Sequence, residues 1–248
     1  MLLSVIFVYL CVLNNNLTNI KKIMEITMYD NILQLPLFQG LCKDDFTTII
    51  ERVKLHFTGF KQGETIFRQE EPCRNLVFLL SGEVEVQTKN ETHQYILTET
   101  FTGPHIIEPY SLFGMKTSFT ATYRAKTDVK MLYIDKSYIH SELYKYEIFR
   151  INFFNLLSNR CQSTTQKLWN NHIGSLNEKF VNFFLLRCIK PSGEKNLSIT
   201  MEELASLIDE TRINVSHLLN DLQKKDLVQL RRKEIFIPAL EKLVIESL

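Results

Sequence analysis

The chain changes texture once along its length, and that change limits what it can fold into. Over residues 35–135, short apolar or alternating runs are punctuated by Gly and Pro, the pattern of antiparallel strands joined by frequent turns. Residues 65–67, 76–80 and 84–87 are separated by Gly63, Pro72 and Gly82, and further runs follow at 95–97, 121–125 and 129–134. Short strands that close on one another predict a β-roll or jelly roll. Past Ser137 no Gly or Pro occurs between Gly114 and Gly174, and apolar residues recur at three- and four-residue steps. A long helix is expected there.

That helix carries Phe149, Phe153, Leu157, Cys161, Thr164 and Leu168 on one face, with Phe154, Leu156 and Trp169 beside it. Such a stripe has two uses: packing the helix on its own roll, or forming a coiled-coil-like seam with a second copy. The seam is the expected use, with Phe149, Phe153, Leu157, Cys161 and Leu168 in the dimer interface.

A second helix is expected from about residue 177 to 188, broken by Lys190-Pro191-Ser192-Gly193, and Leu197-Ser198-Ile199 suits a short strand. Thr200-Met201-Glu202-Glu203 then reads as a capping box, so a helix should begin there. Leu204, Ala205, Leu207 and Ile208 give this short helix an inner face, and Val215, Leu218, Leu219 and Leu222 do the same for the next. The polar turn Asp209-Glu210-Thr211 lies between them, so the segment is a helix-turn-helix pattern.

The second helix leaves Thr211, Arg212, Ile213, Asn214, Ser216 and His217 outward near its N-terminal end, a set suited to a DNA major groove. Arg reads guanine, Asn reads adenine, and hydroxyls hold phosphates. Downstream, residues 227–230 and 235–237 flank Arg231-Arg232-Lys233-Glu234, which reads as a β-hairpin wing with a basic tip. Between Thr211 and Lys233, Arg212, Lys224, Lys225, Arg231, Arg232 and Lys233 stand against Asp221 and Asp226, a local excess of four positive charges. This matters because the net charge of the 248-residue chain is only +1, so a nucleic-acid surface must come from local segregation.

The five cysteines are widely scattered with no C-x-x-C, the pattern of separate reduced thiols in a cytoplasmic protein and not of a disulfide framework, a metal site or a cluster. Residues 1–13, MLLSVIFVYLCVL, are apolar but short of the about 20 residues that span a bilayer. They also lack the basic start and cleavage site of a secretory signal. The expectation is that they lie upstream of the true start, with Met24 and Met28 as candidates, and that no stable membrane association exists. A membrane anchor and an ordered or disordered extension are the alternatives.

Residues from about 35 to 238 resemble the Crp/Fnr family of bacterial regulators, over some four-fifths of the chain. The resemblance is carried by Lys61-Gln62-Gly63-Glu64, Leu80-Ser81-Gly82-Glu83-Val84, Arg124-Ala125-Lys126-Thr127, the long helix, and Ile199-Thr200 leading into the helix-turn-helix. It implies an α+β chain: an N-terminal antiparallel, jelly-roll-like β-roll of the cyclic-nucleotide-binding type, a long dimerisation helix and a C-terminal winged helix-turn-helix. The expected divisions are an apolar extension at 1–27, the roll at 28–145, the dimerisation helix at 146–172 and the DNA-binding domain at 173–248. Implied partners are double-stranded DNA, a second copy of the chain and RNA polymerase.

Arg212 lies where the family commonly has a base-reading arginine, and Thr200, Lys224, Arg231, Arg232 and Lys233 join the DNA-facing set. Ile213 replaces a commonly acidic residue, so the operator should differ from the best-known half-site. In the cyclic-AMP-binding members, a Gly-Glu-Leu turn and an Arg-Ser pair clamp the ligand. This chain has Ile107-Glu108-Pro109 and Phe119-Thr120 instead. Glu108 can still accept from a hydroxyl, but Phe119 stands where an arginine would neutralise the phosphate, which argues against cyclic AMP. Thr164 and Thr165 match ligand-contacting positions, although helix hydroxyls turned to the backbone account for them equally well. The candidate effector pocket is therefore Glu108, Phe119, Thr120, Thr164 and Thr165, with the small-molecule effector open and no cofactor identified.

Two other readings compete with this one. His93, His105 and Glu108 are the one set in the roll that resembles a metal-binding facial triad of a β-barrel enzyme, but no His-x-His pair is present. Residues 200–248 hold seven basic and nine acidic side chains, which leaves room for a sensing module that acts through protein contacts alone.

Overall fold

The computed structural model describes residues 32–90, 92, 94–169 and 174–246, with the side chains of 167–169 excepted. The readings of residues 1–27, of His93 and of the Leu168 side chain lie outside this set. Among the described residues no helix is long and apolar enough to cross a membrane.

A short helix α1 (Lys43–Arg52) precedes eight strands: β1 (Leu55–Phe60), β2 (Thr65–Phe67), β3 (Asn75–Ser81), β4 (Glu83–Asn90), β5 (Tyr95–Thr102), β6 (His105–Ile107), β7 (Thr122–Ala125) and β8 (Val129–Asp135). Strand β4 alternates buried Val84 and Val86 with outward Glu83, Glu85 and Gln87, which is why it lies on one face of a roll. Strand β3 buries Leu76, Val77, Phe78 and Leu79 in succession, so it runs through the core and not along its surface. Gly82 turns β3 into β4 at φ 93°, and a Cβ there would stand 2.4 Å from the Asp128 carbonyl oxygen, so only glycine fits the signature turn.

Helix α2 (Lys136–Ser141) leads to the long helix α3 (Glu147–Trp169). The first turns of α3 belong to the roll: Phe149 and Phe153 are 0% and 2% exposed. Phe149 lies 5.7 Å from the Phe38 ring, and Asn152 Nδ2 donates to the Leu37 and Gln39 carbonyls.

The C-terminal part runs α4 (Leu176–Arg187), β9 (Lys195–Ser198), α5 (Met201–Leu207), α6 (Arg212–Lys224), β10 (Gln229–Arg231), β11 (Glu234–Ile237) and α7 (Leu240–Glu246). A complete capping box starts α4, with Ser175 Oγ accepting from Glu178 N and the Glu178 carboxylate from Ser175 N. Apolar spacing locates this helix but not the cap that starts it.

The strands form two antiparallel sheets. One has the order β1-β8-β3-β6, and the other β10-β11-β9-β5-β4-β7-β2. The second sheet runs from the wing to the far edge of the roll because β9 pairs directly with β5. Two apolar cores result. One fills the roll, and the other lies under α4 to α7 and takes in Tyr95 and Leu97 of β5.

Candidate functional site

Helix α5 begins where Thr200 Oγ1 accepts from Glu203 N, and α6 begins where Thr211 Oγ1 accepts from Asn214 N. Between them Glu210 N donates to the Ala205 carbonyl, and Asp209 takes a left-handed φ of 53°, a conformation that a short polar side chain tolerates better than a branched one. Leu204, Ala205 and Ile208 are buried on one side of this turn, and Val215, Leu219 and Leu222 on the other. The inner faces match the spacing read from the sequence, with Leu207 and Leu218 half-buried at the rim.

Burying those leucines turns the polar side of α6 outward. Arg212, Ile213, Asn214 and His217 are exposed, Ser216 is half-buried, and Ile213 at 68% exposure is among the most exposed large apolar side chains. Thr211 is exposed but serves first as the helix cap. Arg212 Nε lies 3.1 Å from Glu202 Oε1, so the candidate base reader is held across the two helices by a surface ion pair that contributes little stability. Lys224 lies 2.9 Å from Asp221, and Lys225 pairs with Glu246.

The wing closes with Arg231 opposite Glu234 and a two-residue turn, Arg232-Lys233, in which Lys233 adopts φ 59°. Arg231, Arg232 and Lys233 are all exposed. The Lys233 carbonyl accepts from Ile199 N, tying the wing tip to the segment that enters α5. A cleft of about 230 Å³ opens between them, lined by Thr200, Met201, Glu202, Arg231 and Lys233 among others. Basic side chains and a helix start thus flank one face of the domain, which suits a phosphate backbone.

The effector residues separate into two groups. Glu108, Phe119 and Thr120 come together inside the roll. Glu108 is buried with a left-handed φ of 37°, and its carboxylate accepts from Ser111 Oγ (2.7 Å), Thr120 N (2.8 Å), Thr120 Oγ1 (2.9 Å) and the Tyr123 hydroxyl (2.9 Å). The hydroxyls it takes belong to its own chain. Phe119 is 3% exposed and stacks on Phe67 with centroids 4.1 Å apart, filling the place expected for a phosphate-binding arginine. Burial, and next the Glu108 charge, push the Tyr110 hydroxyl up to about 12 and that of Tyr123 well above its ordinary range. Thr164 and Thr165 do not join this group. They are exposed on α3, and their hydroxyls donate to the Arg160 and Cys161 carbonyls one turn back.

The stripe proposed for dimerisation is also divided. Phe149 and Phe153 are consumed by the roll core and Leu157 is half-buried against it, whereas Cys161 is exposed. The free apolar surface of α3 lies about a quarter-turn away, at Ile151 (49% exposed) and Phe154 (63%). For the metal-centre reading, the His105 ring stacks on Phe101 at 4.7 Å, and burial, with Lys190 adding to it, pushes its pKa down to about 4. Among the described residues no three His, Cys, Asp or Glu side chains gather as a metal site.

The sequence reading missed one constellation. Glu99 on β5 and Lys195 on β9 are each 1% exposed, with Lys195 Nζ 3.3 Å from Glu99 Oε1. The Glu99 carboxylate also accepts from Ile189 N (2.8 Å) and Lys190 N (3.2 Å). A signal existed in the alternation Tyr95, Leu97, Glu99, Phe101, where an acid occupies an inward position of an apolar strand face.

Residues 57–146 match the family model of a cyclic nucleotide-binding domain, and residues 180–244 that of a Crp-like helix-turn-helix domain. The chain is 23% identical over 191 residues to the global nitrogen regulator of Synechocystis sp., covering 72% of this chain and 82% of that one. It is 22% identical over 199 residues to that of Synechococcus elongatus, covering 75% and 87%. A solved Crp/Fnr-family regulator from Eubacterium rectale aligns with a TM-score of 0.51 at 19% identity, over 86% of this chain and 98% of that one. Thermus thermophilus catabolite activator protein aligns with a TM-score of 0.48 at 19% identity, over 86% and 100%. With the one model on the roll and the other on the domain that carries α6 and the wing, the chain belongs to the Crp/Fnr family of DNA-binding transcriptional regulators, which are not enzymes.

Proposed function

We propose that the protein is a cytoplasmic homodimer that reads a pseudo-palindromic operator through α6 and acts on transcription through RNA polymerase, under a small-molecule effector other than cyclic AMP. In this reading residues 28–145 sense, 146–172 dimerise and 173–248 read DNA. The observation that carries it is the exposed row Arg212, Ile213, Asn214 and His217 beside the basic wing tip, above a buried leucine face. Two such helices related by a dimer axis would meet half-sites about one helical turn apart.

Replacing Arg212 by alanine is expected to weaken binding to the selected operator by about 1–3 kcal/mol and to relax the preference at one base pair. Replacing Lys224 by alanine is expected to lower affinity on specific and random duplexes alike. Gel-shift titrations at several salt concentrations check both, since phosphate contacts make affinity fall steeply with salt. Equal losses on both kinds of DNA for both variants would remove Arg212 from its assigned role. A salt-independent shift would favour a module that acts through protein contacts.

The dimer follows the exposed side of α3. Ile151, Phe154, Ser158, Cys161 and Thr165 recur at alternating three- and four-residue steps, the spacing of a two-helix seam. Phe154→Asp is therefore expected to shift the protein to monomer in analytical ultracentrifugation with its fold intact, because Phe154 leaves its own core untouched. Mild oxidation should cross-link the wild-type dimer through Cys161 and leave Cys161→Ser unlinked. A Phe154→Asp protein that stays dimeric would refute the seam.

Binding of cyclic AMP is disfavoured on two grounds. Phe119 supplies no cation for its phosphate, and the Glu108 carboxylate is already engaged by its own chain.

A further inference from the structure

The junction between roll and DNA-reading domain has the chemistry of a permanent core. Four residue pairs join the strands, Ile96 with Ser198, Leu97 with Leu197, Thr98 with Asn196 and Glu99 with Lys195. Leu97 is 1% exposed within the same core as Phe184 and Leu219. Tyr95 meets the Phe183 ring edge-on at 5.8 Å, and its hydroxyl accepts from Arg187 Nε at 3.1 Å.

The connection between α4 and β9 is laced down as well. Lys195 Nζ donates to the Ser192 carbonyl at 2.7 Å besides facing Glu99. The Glu194 carboxylate accepts from Thr100 Oγ1 (2.6 Å) and lies 2.7 Å from Lys126 Nζ, two groups of the roll. Arg160 Nη1 of α3 donates to the Ile189 carbonyl while its guanidinium covers the Tyr110 ring. Separating the two parts would strand a buried carboxylate and a buried ammonium and open a shared apolar face. The reading face meanwhile stays exposed with β5 and β9 paired.

We infer that β5 is a structural part of the DNA-reading unit, and that Glu99 and Lys195 are positioning residues that fix the bearing of α6 on the roll and so set the operator's half-site spacing. This inference rests on the DNA-reading function proposed above, and its test has one arm that needs no DNA.

In that arm, hydrogen–deuterium exchange on the full-length wild type is expected to find the β9 amides as slow as those of β4, within about tenfold. Exchange at β9 faster by about 100-fold or more would mean that the junction opens, and would overturn the inference.

The second arm uses Thr98→Cys with Asn196→Cys, a directly opposed pair within disulfide reach, in a Cys42→Ser, Cys161→Ser background. The probe is a duplex selected by the wild type from a randomised library. Oxidised protein is expected to bind it within about threefold of the reduced form, with the same half-site spacing, and a reversible loss of about tenfold or more on oxidation would overturn the inference. Glu99→Gln is expected to broaden the accepted spacings, and the oxidised cross-link in the Glu99→Gln protein to narrow them again. Unchanged spacing in Glu99→Gln would remove the positioning role. If the wild type selects no duplex, the DNA-reading proposal fails, and the exchange result still decides whether the junction opens.

Discussion

Replacing Lys195 by methionine is expected to lower the unfolding free energy of the full-length protein by about 3–5 kcal/mol, because it leaves the Glu99 charge buried without its partner. Both side chains are 1% exposed and 3.3 Å apart, so water cannot take over from the lost ammonium. The Ser192 carbonyl, which accepts from Lys195 at 2.7 Å, loses its donor at the same time. The two backbone N–H groups of Ile189 and Lys190 still face the carboxylate and limit the damage. Removing both charges together should be milder. Glu99→Leu with Lys195→Met is expected to recover part of the loss, since an apolar pair of similar size suits a dry seam. Urea titrations of the three proteins check this, and a Lys195→Met protein within about 1 kcal/mol of wild type would mean that the pair is hydrated in solution.

Replacing Glu108 by alanine is expected to cost about 3–5 kcal/mol, as several buried donors lose their acceptor together. Its two oxygens serve Ser111 Oγ, both donors of Thr120, and the Tyr123 hydroxyl. Tyr123 is 3% exposed and so lies out of reach of bulk solvent. Glu108→Gln keeps the shape and one acceptor oxygen but points an amide at a donor, so it should fall between alanine and wild type. Chemical denaturation of the three proteins orders them. A Glu108→Ala loss below about 1 kcal/mol would indicate that the cluster reorganises or hydrates, and would return Glu108 to the set of residues free to meet a ligand.

These residues mark where sequence reading succeeded and where it stopped. Strand and helix textures are local properties, so the change after Ser137, the buried faces of α5 and α6, and the basic wing turn were legible from spacing alone. The stripe at Phe149 and Phe153 was legible as apolar, but periodicity does not say what covers a face. The roll's Phe38 took that side, and the exposed side passed to Ile151 and Phe154. Thr164 and Thr165 illustrate the same limit, because a matching position on a helix does not turn a hydroxyl away from its own backbone.

By itself the sequence determined the class of the protein: a roll, a long helix and a helix-turn-helix with a polar face outward, all set by short-range patterning and capping. Only the tertiary structure decided that Glu108 is saturated by its own chain, that Phe119 stacks on Phe67, and that β5 joins the DNA-reading domain through Glu99 and Lys195. The reason is distance along the chain. Glu99 and Lys195 stand almost a hundred residues apart, and no local pattern specifies which distant strand edge a short strand will meet. That pairing is set when the two apolar cores close over the same strand.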